Sequence, residues 1–150
     1  MAATLAKGTT IISNAACEPE IADVAECLNK MGARISGAGT RRIVIEGVTK
    51  LHGARHAVLP DRIETGTYAM AVAMTGGDVQ LAGARTELLQ SALDVLTQAG
   101  AVLPVTNEVI RVALNGAGIR PVTVSTAPFP GFPTHPQAPG VASLDTHGRT

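Results

Sequence analysis

Three short segments of this 150-residue sequence concentrate side chains that could move a proton or bind a polar substrate. These candidates are Glu18, Glu20, Asp61, Arg62, Glu64, Thr134 and His135. Carboxylates and imidazole rings often transfer protons in proteins, and an imidazole titrates near neutral pH. The imidazole of His135 could in principle accept a proton, and Pro136 and Pro139 exclude a helix after it.

The acidic candidates also have a structural interpretation, because acidic side chains favour the N-termini of helices. Glu18 and Glu20 flank Pro19, a residue typical of the first helical turn. Asp61 and Glu64 stand three positions apart, as the two partners of a capping box do. The residues alone favour the structural interpretation, although Asp61 and Glu64 can fill both roles.

Apolar periodicity predicts three helices. The first begins at Pro19 and ends near Gly32, and its water-facing side chains are predicted to be Glu20, Asp23, Glu26 and Lys30. The second begins at Asp61 and ends at Gly76, with an inward stripe of Ile63, Thr67, Met70, Ala71 and Met74. The third ends at Gly100, with Thr86 as its candidate N-cap.

Short apolar and β-branched runs predict strands near residues 9–12, 43–45, 57–59, 79–81, 102–103, 109–112 and 122–124. We expect the runs at 43–45 and 57–59 to form a hairpin. Residues 8–47 and 77–116 repeat one order of elements: strand, amphipathic helix, Gly-Ala pair, strand. The pattern predicts an α/β (α+β) fold of mixed sheets with helices packed inside, not a wholly parallel sheet.

Composition narrows the classes of partner. Lys+Arg and Asp+Glu number 12 each, so the sequence has no electrostatic footprint for nucleic acid or an anionic membrane. Cys17 and Cys27 match neither a disulfide framework nor a metal-ligand spacing, and His52 and His56 have no acidic neighbour at ligand spacing. We expect a cytoplasmic chain without a metal, because neither a leader nor a membrane-spanning run is apparent.

Three motifs then stand together in the sequence: NAACEPEI at 14–21, LPDRIETGT at 59–67 and TAPFPGFPT at 126–134. Their order and spacing resemble the middle of the UDP-N-acetylglucosamine 1-carboxyvinyltransferases, in the superfamily of the shikimate-pathway enolpyruvyl transferase. The resemblance implies an incomplete β/α prism of repeated βαβαββ units. It also implies one transferase-like domain fragment over residues 1–134, with the internal repeat, and a divergent, disordered tail over residues 135–150.

The resemblance also implies an activity. Family members transfer the enolpyruvyl group of phosphoenolpyruvate to the 3-hydroxyl of UDP-N-acetylglucosamine in peptidoglycan synthesis, without a cofactor. It places Glu18, Glu20, Asp61, Arg62, Glu64 and Thr134 among the cleft residues that bind substrate. His135 occupies the position at which the family has an Asp that contacts the sugar hydroxyl, so this departure puts the base in doubt.

The family's general-acid Cys and its phosphate-binding residues have no counterpart in this sequence. We therefore expect a chain that is inactive alone. Two alternatives stay open: one part of a split enzyme, and a non-catalytic module that binds a nucleotide sugar. Uncovered sheet edges are expected to favour self-association.

Overall fold

A computed structural model describes residues 1–104, 106, 109–114, 119–125 and 127–132. The chain divides into two compact units: unit 1 is Met1–Leu59 and unit 2 begins at Pro60. Each unit contains one three-stranded sheet, in which the last strand lies between the first and the second. One copy of the predicted repeat falls in each unit. The single domain over residues 1–134 and the tail over residues 135–150 stay predictions, because that boundary lies outside the described residues.

Unit 1 consists of β1 (Thr9–Ser13), α1 (Pro19–Lys30), β2 (Arg34–Ser36) and β3 (Arg42–Glu46), preceded by a short 3-10 helix, Ala2–Leu5. Pro19 begins α1 as predicted, and Gly32 follows its end with a positive φ of 97°. The side chain of Asn29 joins α1 to β2, because it bonds both the N–H and the C=O of Ile35, at 2.8 and 2.9 Å.

An apolar groove lies open on unit 1. Ile43 and Ile45 of β3 and Leu28 of α1 are buried beneath it, whereas Ile12 and Val24 are 42% and 43% exposed. The groove has a volume of about 320 Å³, and aliphatic side chains of α1 and of all three strands line it. The small sheet and its one helix therefore leave part of the apolar face of α1 in contact with solvent.

Unit 2 consists of α2 (Arg62–Thr75), β4 (Asp78–Ala82), α3 (Gln90–Ala99), β5 (Ala101–Val102) and β6 (Val109–Leu114). Its core is better filled than that of unit 1. Ile110 and Val112 of β6 are fully buried, in one cluster with Met70 of α2 and Leu93 of α3. Gly100 ends α3 in the left-handed conformation, as predicted.

Two predicted strands, at residues 57–59 and 122–124, do not form, and neither does the predicted hairpin. The hairpin of residues 43–45 with 57–59 does not form, because both edges of β3 are already paired with β1 and β2. Val58 is instead 77% exposed. Residues 122–124 form no strand; Val122 and Val124 pack against the unit 2 core. The central strand β3 runs antiparallel to both β1 and β2, and β6 runs antiparallel to both β4 and β5. Every pairing among the described strands is therefore antiparallel.

Two helix details also differ. The buried face of α2 includes Met70, as predicted, together with Gly66, Ala69, Val72 and Ala73, whereas Thr67 and Ala71 are exposed. A Cβ added at Gly66 would lie 3.5 Å from Leu89 Cδ2, just before the start of α3. Thr86 begins a 3-10 turn, Thr86–Leu88, and does not cap α3. No helix in the described part of the chain combines the length and apolarity needed to cross a membrane.

Candidate functional site

Asp61 and Glu64 occupy the N-terminus of α2, and both are exposed. Asp61 Oδ1 accepts hydrogen bonds from the backbone N–H groups of Ile63 and Glu64, at 2.8 and 3.0 Å. The capping interpretation of Asp61 is therefore confirmed. Its carboxylate remains accessible to solvent, so the cap does not exclude contact with a ligand.

Arg62 differs from its two neighbours because it is only 7% exposed. Its guanidinium carbon lies 5.5 Å from the centroid of the Phe129 ring, a cation–π distance. Phe129 belongs to the turn at residues 127–132, in which Ala127 N–H donates to the Phe132 carbonyl at 2.9 Å. Unit 2 therefore brings the second and third sequence motifs together at the start of α2.

Glu18 and Glu20 lie at the start of α1 in unit 1, as predicted. Glu18 occupies the N-cap position, but its side chain makes no capping hydrogen bond. Its Oε2 is buried and has no hydrogen-bond partner among the described residues. Because buried acceptors are normally paired, a donor for this oxygen remains to be supplied from outside the described residues.

The remaining predicted site residues, Thr134 and His135, lie outside the described residues. Within the described part of the chain, no group of three or more His, Cys, Asp or Glu side chains could hold a metal ion. Cys17 and Cys27 are free thiols.

Sequence reasoning missed a polar cluster in unit 1. His56 Nε2 lies 3.0 Å from Asp23 Oδ1, and Lys30 Nζ lies 3.2 Å from His56 Nδ1. An ammonium group only donates, so Nδ1 is the acceptor and Nε2 carries the proton. Asp23, predicted to face water, has a side chain only 12% exposed, and that of His56 is 6% exposed. Asp23 and His56 are 33 positions apart, so no local sequence pattern indicates that they interact.

Two exposed ion pairs, one on α1 and one in the sheet of unit 2, lower the pKa of an acidic side chain. A hydrogen bond from Lys30 lowers the pKa of Glu26 on the outer side of α1. In unit 2, Arg111 Nε donates to Asp78 Oδ1 at 2.7 Å, and this hydrogen bond lowers the pKa of Asp78. Both pairs are exposed. The first lies within α1 and the second joins β6 to β4, so neither forms a reaction centre.

The fold is that of the enolpyruvyl transferases. The chain superimposes on the crystal structure of the enolpyruvyl transferase NikO from Streptomyces tendae with a TM-score of 0.79, over 95% of this chain and 34% of that one. The two sequences are 23% identical, so this likeness concerns the fold alone. Residues 1–146 match the family model described as EPSP synthase (3-phosphoshikimate 1-carboxyvinyltransferase), and the chain belongs to this family.

Curated relatives give a closer comparison. The chain is 83% identical over 138 residues to the UDP-N-acetylglucosamine 1-carboxyvinyltransferase of Rhodopseudomonas palustris strain HaA2. The proteins of the same name from Nitrobacter hamburgensis and Afipia carboxidovorans are 83% and 81% identical over the same length. Each alignment covers 92% of this chain and 32% of the relative, so the chain spans about a third of their length. The resemblance seen in the three motifs is confirmed.

Proposed function

We propose that the chain is a segment of a UDP-N-acetylglucosamine 1-carboxyvinyltransferase and supplies part of its nucleotide-sugar cleft. The observation that carries the proposal is the identity of 83% over 138 residues with a curated protein of that name. The proposed reaction moves the enolpyruvyl group from phosphoenolpyruvate to the sugar 3-hydroxyl and releases phosphate. This is the first committed step of peptidoglycan synthesis, and we infer that the chain acts in the cytoplasm.

Local structure supports a role for Glu18 in binding. Its Oε2 is a buried acceptor without a donor among the described residues, and a hydroxyl or N–H group of a nucleotide sugar would supply one. Separately, in unit 2, Asp61 and Glu64 are two exposed carboxylates at the start of α2. These side chains accept hydrogen bonds, which suits polyhydroxylated ligands better than phosphate. Binding of the phosphate of phosphoenolpyruvate is assigned to residues outside this chain.

Catalysis by the chain alone is not proposed. We do not assign either thiol as the family's general acid: Cys27 lies within α1, and Cys17 lies in the segment between β1 and α1. Residue 135 is His where the family has Asp. The segment is proposed to be inactive alone, and two alternatives remain: one part of a divided enzyme, and a non-catalytic module that holds the nucleotide sugar. The unpaired Glu18 oxygen supports retained sugar binding in both alternatives.

Two assays test the proposal. Calorimetry with UDP-N-acetylglucosamine is expected to show weak binding that Glu18→Gln reduces and that uridine diphosphate alone does not reproduce. Phosphate release from phosphoenolpyruvate is expected to be absent for the chain alone and to appear when the rest of the transferase is supplied. Absence of heat with the nucleotide sugar would reject the binding role, and turnover by the chain alone would reject the assignment of an inactive segment.

Self-association is a further part of the proposal. β1 and β2 are the edges of one sheet, and β4 and β5 are the edges of the other. Unpaired edge strands can pair with a second chain. Sedimentation velocity at increasing concentrations is expected to show dimers, and a concentration-independent monomer would contradict this expectation.

A further inference from the structure

We propose that the apolar groove of unit 1 is the docking site of one amphipathic helix, which belongs to the part of the transferase that this chain does not span. The inference rests on the proposed function, because it takes the helix from the transferase. The alignment covers 32% of the relative from Rhodopseudomonas palustris strain HaA2, so most of that protein lies outside this chain. The kind of helix follows from a comparison of the two units, each described by itself.

The strands of the two units are equivalent in register. In the two copies of the repeat, Ile12 of β1 and Leu81 of β4 hold the same position. Ile43 of the central strand β3 lies opposite Ile12, and Ile110 of the central strand β6 lies opposite Leu81. Ile43 and Ile110 are both buried. Each sheet therefore presents the same apolar position to the helix beside it.

The helices α1 and α3 are equivalent as well, because one Gly-Ala pair follows each of them and aligns the two. In this alignment Ile21 and Val24 of unit 1 correspond to Leu89 and Ala92 of unit 2. Ile21 and Val24 line the groove and are 37% and 43% exposed. Their counterparts are 6% and 3% exposed. The same apolar face is therefore covered in unit 2 and open in unit 1.

Helix α2 covers this face in unit 2. It contacts both α3 and β6, and its Met70 belongs to one buried cluster with Ile110. A Cβ added at Gly66 would lie 3.5 Å from Leu89 Cδ2, which is van der Waals contact. Leu89 is the counterpart of Ile21 in the groove. Helix α2 therefore occupies the place in unit 2 that the groove leaves open in unit 1.

Unit 1 contains the counterpart of the last turn of α2 alone. The spacing that relates β1 to β4 sets the 3-10 helix Ala2–Leu5 against that turn. Thr4 and its counterpart Ala73 are 2% and 1% exposed. Met1 and Met70 also correspond, but Met70 is buried, whereas Met1 lines the groove and is 79% exposed. The groove therefore lies where the earlier turns of such a helix would pack.

The helix that fits this groove has small residues on its apolar face. In α2 the covering face includes Gly66, Ala69 and Ala73, beside larger side chains of the neighbouring elements. Val24 of unit 1 is larger than its counterpart Ala92, so the docked helix has equally little side-chain volume at that point. A separate helix of this length is marginal in water, and docking is therefore coupled to helix formation.

A synthetic peptide tests the proposal with the full chain. It consists of about 20 residues of the Rhodopseudomonas palustris HaA2 transferase and ends at the residue equivalent to Met1. Calorimetry is expected to give a dissociation constant of roughly 10–100 μM, with a gain of helical circular dichroism. Val24→Lys places a charge in the groove and is expected to weaken binding about tenfold or more. The controls are Val58→Lys, which makes the same change outside the groove, and a peptide of scrambled sequence.

A second measurement joins the helix to the chain, which raises its effective concentration. The same residues are fused before Met1, and the melting temperature is expected to rise by about 5 °C or more, a gain that Val24→Lys cancels and Val58→Lys does not. Such a gain supports the inference even where the separate peptide binds too weakly to measure. No binding together with no gain would overturn it, as would equal effects of the two lysine substitutions. If Val24→Lys does not fold, Ile21→Gln takes its place.

Neither measurement involves the nucleotide sugar or turnover, so the inference and the proposed function can fail separately. Absence of sugar binding with normal docking of the peptide would reject the proposed sugar-binding role and leave the docking site in place. Sugar binding by a chain that neither binds the peptide nor gains stability from the fusion would reject the docking site alone.

Discussion

The imidazole of His56 donates a hydrogen bond from Nε2 to Asp23 Oδ1 at 3.0 Å, across 33 positions of the sequence. Lys30 Nζ donates to the other ring nitrogen, Nδ1, so His56 bridges two side chains of α1. The segment around it has no regular secondary structure and is largely exposed at residues 52–58. His56 therefore anchors that segment to α1.

Replacement of His56 tests this anchor. His56→Ala removes the donor of a largely buried carboxylate, so we expect unit 1 to lose about 1–3 kcal/mol of its free energy of unfolding. The His52 N–H, which donates to the Met31 carbonyl at 2.9 Å, is expected to exchange faster. His52→Ala is the matched control, because that ring is exposed and contacts the adjacent Gly53 carbonyl. Equal destabilisation by both substitutions would contradict the anchor.

The cap of α2 separates two roles of Asp61. Asp61→Ala is expected to lower stability by about 0.5–2 kcal/mol, because two N–H groups lose their acceptor. Asp61→Ser retains a capping oxygen and is expected to keep most of the stability. If the carboxylate also binds the nucleotide sugar, Asp61→Ser weakens binding while the melting temperature stays near that of the wild type. Unchanged affinity in Asp61→Ser would assign Asp61 to the cap alone.

The ion pair of Asp78 and Arg111 predicts a pH dependence. Arg111 lowers the pKa of Asp78, so the folded state binds this proton less readily than the unfolded state does. The pair therefore stabilises the fold above the unfolded pKa of an aspartate, and this contribution is lost as the pH falls through the lowered folded pKa. Denaturation of Asp78→Asn should show a deficit against the wild type at pH 7 that closes in acid. A deficit independent of pH would exclude the ion pair as its cause.

The groove of unit 1 predicts a surface that binds apolar probes. Val24 lines the groove, whereas Val58 is 77% exposed and does not. Val24→Lys is expected to reduce the fluorescence of a dye that binds apolar surface, with a change in stability within about 0.5 kcal/mol, because Val24 is already partly exposed. Val58→Lys provides the control with the same chemical change. Similar dye binding in both variants would show that the groove is not the dye site.

The sequence predicted those features of the fold that depend on local pattern. Pro19, Gly32 and Gly100 mark helix ends where they were expected. The inward face of α2 was predicted only in part: Met70 is buried as expected, but Thr67 and Ala71 are exposed. Gly66 and Ala69 are buried instead, and they have little hydrophobicity of their own to signal it.

Long-range relationships were beyond prediction from the sequence pattern. Residues 57–59 cannot pair with β3, because β1 and β2 already occupy both of its edges. The contacts of His56 with Asp23 and of Arg62 with Phe129 join residues distant in the sequence. Of the candidate site, the placement of the acids at helix starts was predictable, whereas the burial of Arg62 and the unpaired oxygen of Glu18 were not.

Turnover by a chimeric enzyme tests the central claim most directly. The corresponding segment of the Rhodopseudomonas palustris transferase would be replaced by residues 1–134 of this chain, and phosphate release from phosphoenolpyruvate and UDP-N-acetylglucosamine would be measured. We expect turnover within about tenfold of the parent enzyme. Extending the graft by His135 is expected to reduce turnover by about 10²-fold or more, and His135→Asp to restore it. A folded 1–134 chimera without turnover would contradict the assignment of this chain to the transferase.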